Sequence, residues 1–159
     1  MKSSARFLPF LLVGLLVLTS CSRRADLPWG NDLGVAKARA AREGKNLLVD
    51  FTGSTWCGPC RSLKKEVFSS SKFAAFTGNV VLVALDYPPQ NERQPEHIAA
   101  DPGLAALMVL KNDYAVASFP TVILFTPDHQ EIARVVGYGG QSPSAYLARL
   151  TGAVPQPPM

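Results

Sequence analysis

The stretch Asn46–Phe68, NLLVDFTGSTWCGPCRSLKKEVF, decides how this 159-residue chain folds. Its first seven residues, Asn46 to Thr52, are an apolar run of strand length broken by one acid, the pattern of a strand covered on both faces. Asp50 is therefore expected to be a buried carboxyl. A Gly53-Ser54-Thr55 turn follows, and from Trp56 to Phe68 the period changes: Leu63 and Val67 stand at i and i+4, and Pro59 is tolerated in a first helical turn. Two cysteines, Cys57 and Cys60, thus fall where a helix begins.

Outward from this stretch the pattern alternates. Asp32–Glu43 is an Ala-rich helix candidate with Asp32 as N-cap and Gly44 just past its end. Lys72–Phe76 can add a helical turn, and Val80–Asp86 (VVLVALD) is a second continuous apolar strand. Two buried strands around a helix make a βαβ unit. Tyr87–Pro102 holds four prolines and several charges and reads as a loop. Leu104–Leu110 is an apolar helix candidate, and Thr121–Phe125 and Glu131–Val136 are strands joined by the turn Thr126-Pro127-Asp128-His129. Ser142-Pro143 supplies an N-cap and N1 proline for a last helix through Leu150.

At a helix start, unpaired backbone N–H groups and the positive end of the helix dipole favour a thiolate, so Cys57 is the expected nucleophile. Cys60, one turn further in, is placed to attack a mixed disulfide formed on Cys57. Gly58 lets a partner backbone approach, and Trp56 makes an apolar rim. Two other uses of such a pair stand beside this one. A structural disulfide would close only a two-residue loop and restrain few configurations. A metal site would need more ligands, and only His97 and His129, both in expected loops, are on offer.

The pentapeptide Trp56-Cys57-Gly58-Pro59-Cys60, between a buried strand and a helix, resembles the thioredoxin active site, and the resemblance spans about Asn46 to Leu150. It implies an α/β thioredoxin fold, a central mixed β-sheet flanked by helices, and a thiol–disulfide oxidoreductase that needs no cofactor and no metal. It implies that Cys57 and Cys60 form a redox-active disulfide. Ser118-Phe119-Pro120-Thr121 is similar to the family's cis-proline segment, which makes Phe119, Pro120 and Trp56 substrate-contact candidates. Gly137 matches a family glycine near that surface. Asp50 matches the family's buried acid, which exchanges a proton with the resolving cysteine, although one more residue separates it from Cys57 than in the family pattern. The position where thioredoxins often carry a lysine falls on Leu82, which would leave Asp50 without a cation and raise its pKa. Lys65 replaces a helix-kinking proline. The run Phe51–Cys57 with Lys64–Phe68 behind it looks more like envelope domains such as the C-terminal domain of the DsbD reductant transporter than like cytosolic thioredoxin. That likeness implies disulfide-containing envelope proteins as partners, an upstream electron donor, and reduction as the direction; oxidation or isomerisation is the alternative. The long 87–102 segment keeps open a further reading, a thioredoxin-fold binding module with idle cysteines.

Residues 1–20 have a secretory signal's layout: two positive charges, an apolar run from Phe7 to Leu18, then small residues. As a helix the run spans roughly 18 Å, short of the ~30 Å hydrocarbon core. Leu18-Thr19-Ser20-Cys21 resembles the lipobox of bacterial lipoproteins, which implies cleavage before Cys21 and a lipid on its sulfur. A lipid anchor would hold the protein in the cell envelope, facing the periplasm or exterior. An ordinary secreted protein with a free thiol at Cys21, or an uncleaved anchor, are the alternatives. The expected organisation is then a signal over 1–20, a tether over 21–31, the thioredoxin-like domain over 32–152 and a frayed tail over 153–159.

Charge removes one class of partner. Lys2 and Arg6 lie in the signal, and taking these two from the 16 basic residues leaves 14 against 12 acidic ones. No basic stripe interleaved with aromatics is present, so nucleic acid is not an expected partner.

Overall fold

The computed structural model describes residues 27–152. Trp29–Gly30 forms β1, Leu33–Glu43 α1, Asn46–Thr52 β2, Gly58–Leu63 α2, Ser71–Phe76 α3, Val80–Asp86 β3, Pro95–Ala100 α4, Pro102–Asp113 α5, Thr121–Phe125 β4, Glu131–Val136 β5 and Pro143–Leu150 α6. The five strands make one mixed sheet in the order β1-β3-β2-β4-β5. β2 runs parallel to β3, from Asn46 opposite Val80 to Thr52 opposite Asp86, and antiparallel to β4, where Phe51 faces Thr121. β4 and β5 are antiparallel, as their connecting turn requires.

β2 is the central strand, and Leu47 to Thr52 are all buried. Its alternate residues serve two cores. Leu47, Val49 and Phe51 pack with Leu33, Ala36 and Ala40 of α1 and with partly buried Leu107 and Met108 of α5. Leu48 faces the other side, with Leu63 of α2, Phe73 of α3, and Tyr146 and Leu150 of α6. Asp50 shares the parity of Leu48. The pleat therefore turns its carboxyl toward the layer that carries the cysteines.

The helix signals in the sequence act as expected. Asp32 Oδ1 accepts from the Val35 N–H at 2.9 Å, and Gly44 ends α1 at φ 62°, a conformation glycine enters without strain. Ser142 caps α6 by accepting from the Ala145 N–H. Past α2 the helix winds on as a π-helical turn over Lys64–Phe68, where the Ser69 N–H reaches back to the Lys64 carbonyl at 3.1 Å. Lys65, unlike a proline, keeps the N–H such a turn uses. The wide turn also lets Leu63, Val67 and Phe68 all enter the core.

Two expectations are corrected. Tyr87–Pro102 is not simply a loop: Gln90–Glu92 is a 3-10 turn and Pro95–Ala100 is helical. Pro95 and Pro102 each sit in a first helical turn, where a missing N–H costs nothing, so they start helices rather than break them. The expected tether also reaches too far. Trp29 and Gly30 pair with Leu82 and Val83, and the Trp29 ring lies 5.1 Å from that of Phe68 and 6.1 Å from that of Phe73. A two-residue strand has no periodicity to betray it. The signal segment, Cys21 and the tail from residue 153 lie outside the described residues.

Candidate active site

Cys57 is the N-cap of α2, and its Sγ accepts the Cys60 N–H at 3.2 Å. The two sulfurs are bonded, with Cα atoms 5.3 Å apart. A sulfur that already accepts a backbone N–H at a helix start has the surroundings that stabilise it as a leaving thiolate. Cys57 is 5 % exposed and Cys60 3 %, so the pair lies just below the surface, with Cys57 slightly the more open.

The turn before Cys57 is held from both ends. The Cys57 N–H donates to the Gly53 carbonyl at 2.9 Å, and the Ser54 N–H donates to Asp86 Oδ1 at 2.7 Å, while the Ser54 hydroxyl donates to Asp86 Oδ2. Arg61 Nη1 donates to the Thr55 carbonyl. Gly53 has a steric role that the sequence reading missed: a Cβ there would meet Trp56 Cε2 at 2.4 Å. Only glycine admits the indole where it lies. From that seat Trp56 Nε1 donates to the Tyr87 carbonyl at 2.7 Å, and the ring stands edge-on to Phe119 at 5.6 Å.

Phe119–Pro120 is a cis peptide at the head of β4. The Gly137 N–H donates to the Pro120 carbonyl at 2.7 Å, and Gly137 has φ 73°. Phe119 also packs against Tyr87, 5.0 Å between centroids. The structure thus sets Trp56, the residue before Cys57, against Phe119 of the cis-proline segment.

Asp50 lies behind it. The carboxyl is 6 % exposed, its Oδ1 has no hydrogen-bond partner among the described residues, and it shares a cavity of about 590 Å³ with Cys60, Lys64 and Asp86. Burial, with a smaller push from the Asp86 charge and a pull the other way from Lys64, raises its pKa to about 7. The residue opposite Asp50 on β3 is Ala84, not Leu82, which belongs to the core beside Leu48. The nearby cation comes instead from the π turn. A carboxyl poised near neutrality beside a cysteine can take up or release a proton at physiological pH.

The two histidines stand apart from this arrangement. His97 is exposed on α4, and His129, at φ 67° in the β4–β5 turn, has Nε2 3.3 Å from the Lys37 carbonyl. Among the described residues no group of three or more His, Cys, Asp or Glu side chains is arranged to hold a metal. No helix among them is long and apolar enough to cross a membrane.

A disulfide across the first turn of a helix, in a fold that also carries a cis-proline at the head of the strand antiparallel to β2, defines the thioredoxin class of thiol–disulfide oxidoreductase. The thioredoxin-like family model matches residues 28–127, and the chain belongs to that family. It is 26% identical over 131 residues to the disulfide bond reductase DsbH of Chlamydia pneumoniae, covering 82% of this chain and 74% of that one. A solved structure of a DsbH oxidoreductase superposes with a TM-score of 0.68 at 27% identity, over 87% of this chain and 91% of that one. The thioredoxin-related protein DsbJ of the same organism is 30% identical over 120 residues, 75% of this chain, which spans only 33% of DsbJ.

Proposed function

We propose that the protein is a lipid-anchored reductant of disulfides in cell-envelope proteins. The observation that carries this is the Cys57 sulfur, which accepts the Cys60 N–H at the start of α2 and is bonded to Cys60. In the reduced protein the Cys57 thiolate attacks one sulfur of a substrate disulfide, forming a mixed disulfide and releasing the first substrate thiolate. The Cys60 thiol passes its proton to the Asp50 carboxylate, and its sulfur attacks Cys57. The second substrate thiolate leaves and the Cys57–Cys60 disulfide closes. Two electrons have moved from protein to substrate, and an upstream dithiol donor must return them.

Phe119 stands two residues before the β4 ladder, where an extended substrate segment can pair by strand addition, and its ring meets that of Trp56, the residue before Cys57. Reduction as the direction is supported by Gly58-Pro59 between the cysteines and by the likeness to a protein named a disulfide bond reductase. Anchoring is supported by the lipobox-like Leu18–Cys21.

The deciding experiment is the equilibrium potential of the Cys57/Cys60 couple against a thiol–disulfide buffer, together with Cys57→Ser. A potential near the thioredoxin value of about −270 mV is the expected result, whereas one near −120 mV would make the protein an oxidase. Unchanged exchange activity in Cys57→Ser would overturn the enzyme reading in favour of a binding module. A Cys21→Ala protein that still partitions with membranes would remove the anchor.

A further inference from the structure

Beside Trp56 and Phe119, and sharing no lining residue with the Asp50 cavity, runs a groove of about 610 Å³ lined also by Gln90, Arg93, Met108 and Lys111. Arg93 comes from the 87–102 segment and Lys111 from α5. The Arg93 guanidinium carbon lies 5.3 Å from the Trp56 ring centroid and 5.6 Å from that of Phe119. Its Nε is buried without a hydrogen-bond partner among the described residues. Among the described residues neither Arg93 nor Lys111 makes an ion pair, not even with Glu92 next to the first or Asp113 two positions beyond the second. The groove therefore holds two cations, no anion, and an aromatic floor one residue from Cys57 on one side and one from Pro120 on the other.

A planar guanidinium lying over two rings keeps its Nη groups as a donor fork of the shape a carboxylate accepts from. We propose that this groove selects the substrate: it takes the extended segment bearing the target cysteine when an Asp or Glu lies beside that cysteine, the carboxylate meeting Arg93 and Lys111. The selection rests on the exchange reading above, because the segment is delivered by the strand pairing that presents a disulfide to Cys57. Met108 and the two rings take the apolar side chains on either side, and Gln90 tolerates either charge.

The test uses the full-length reduced chain and disulfide-bonded peptides identical except for Glu, Gln or Lys next to the cysteine. The expected kcat/KM for the Glu peptide exceeds that for the Gln peptide about 5-fold at low salt, the range of a partly exposed ion pair. The ratio should collapse toward one at 1 M salt, where the Debye length is about 3 Å. Arg93→Glu should invert the preference toward the Lys peptide, an outcome misfolding cannot mimic, and Lys111→Glu, from a different helix, should shift it the same way. A ratio near one in the wild type, or a ratio unmoved by both variants, overturns the proposal. Equilibrium binding of the same peptides with Ser in place of Cys separates the two readings. Reduction without charge preference sinks the groove and leaves the enzyme; Arg93-dependent binding of the Glu peptide without reduction of any peptide sustains the groove and sinks the enzyme.

Discussion

Trp56 Nε1 and the Tyr87 carbonyl, 2.7 Å apart, tie the residue before Cys57 to the first residue beyond β3. Tyr87 is itself fixed, its N–H donating to the Thr52 carbonyl at 2.8 Å and its hydroxyl to the Leu107 carbonyl at 2.9 Å. The rim of the active site is thereby referred to the sheet and to α5 at once. The indole makes this contact from the space that a Cβ at residue 53 would fill.

Gly53→Ala should expel the indole, because its Cβ would sit 2.4 Å from Trp56 Cε2. The loss of the hydrogen bond together with overpacking should cost about 1–3 kcal/mol. Urea unfolding and tryptophan fluorescence read this directly, and kcat/KM for disulfide exchange should fall with it. Stability within about 0.5 kcal/mol of wild type, the range of an inert surface change, would show that the indole is not held there.

Cys60→Ala should trap substrate. With the resolving thiol gone, the mixed disulfide on Cys57 has no internal nucleophile to discharge it, so an adduct should build up and be visible on a non-reducing gel. Cys57→Ala with Cys60 intact should yield little adduct, because the remaining sulfur sits inside the first turn of α2 rather than at its N-cap. Equal trapping by both variants would sink the assignment of nucleophile and resolver.

Asp50 should make stability depend on pH in the unusual direction for an acid. Its folded pKa, about 7, is above the ordinary value near 4, so between those limits the folded state holds the extra proton. Stability should fall as pH rises from about 4 to about 7 and level off above, by up to a few kcal/mol. Asp50→Asn should flatten that slope and be the more stable protein above pH 7, with no difference below pH 4. Its exchange rate should lose the inflection near pH 7. Unfolding curves of the oxidised protein at pH 4, 6 and 8 check the first claim; parallel curves for the two proteins would refute it.

Much of this architecture is legible in the chain because burial on both faces and helix caps leave local marks. β2, β3, β4 and β5 fall on the expected apolar runs, and Asp32, Gly44 and Ser142 act as the ends they resemble. What sequence hides is register and convergence. Whether Leu82 or Ala84 faces Asp50 depends on a pairing offset that neither strand carries alone. Arg93 reads as one more loop charge until Trp56 and Phe119, distant in the chain, bring their rings beneath it. The prolines of 87–102 carry two meanings, and position in the first helical turn selects the less expected one.

The same hidden pairing gives the last prediction. If residues up to 31 were only a tether, Trp29→Ala would be silent. Instead the Trp29 ring stacks near Phe73 and Phe68, its strand closes the β3 edge, and its side chain walls the Asp50 cavity. Truncation of a half-buried ring should cost about 2 kcal/mol, below the 3–5 kcal/mol of a fully buried aromatic. It should also admit water to the cavity, weaken the desolvation that raises Asp50, and shift the inflection of the exchange rate to lower pH. Urea unfolding and the pH–rate profile of Trp29→Ala measure the two effects separately. A lower stability with an unmoved inflection would mean that Trp29 supports the sheet edge but does not keep the cavity dry, and an unchanged protein would restore the tether.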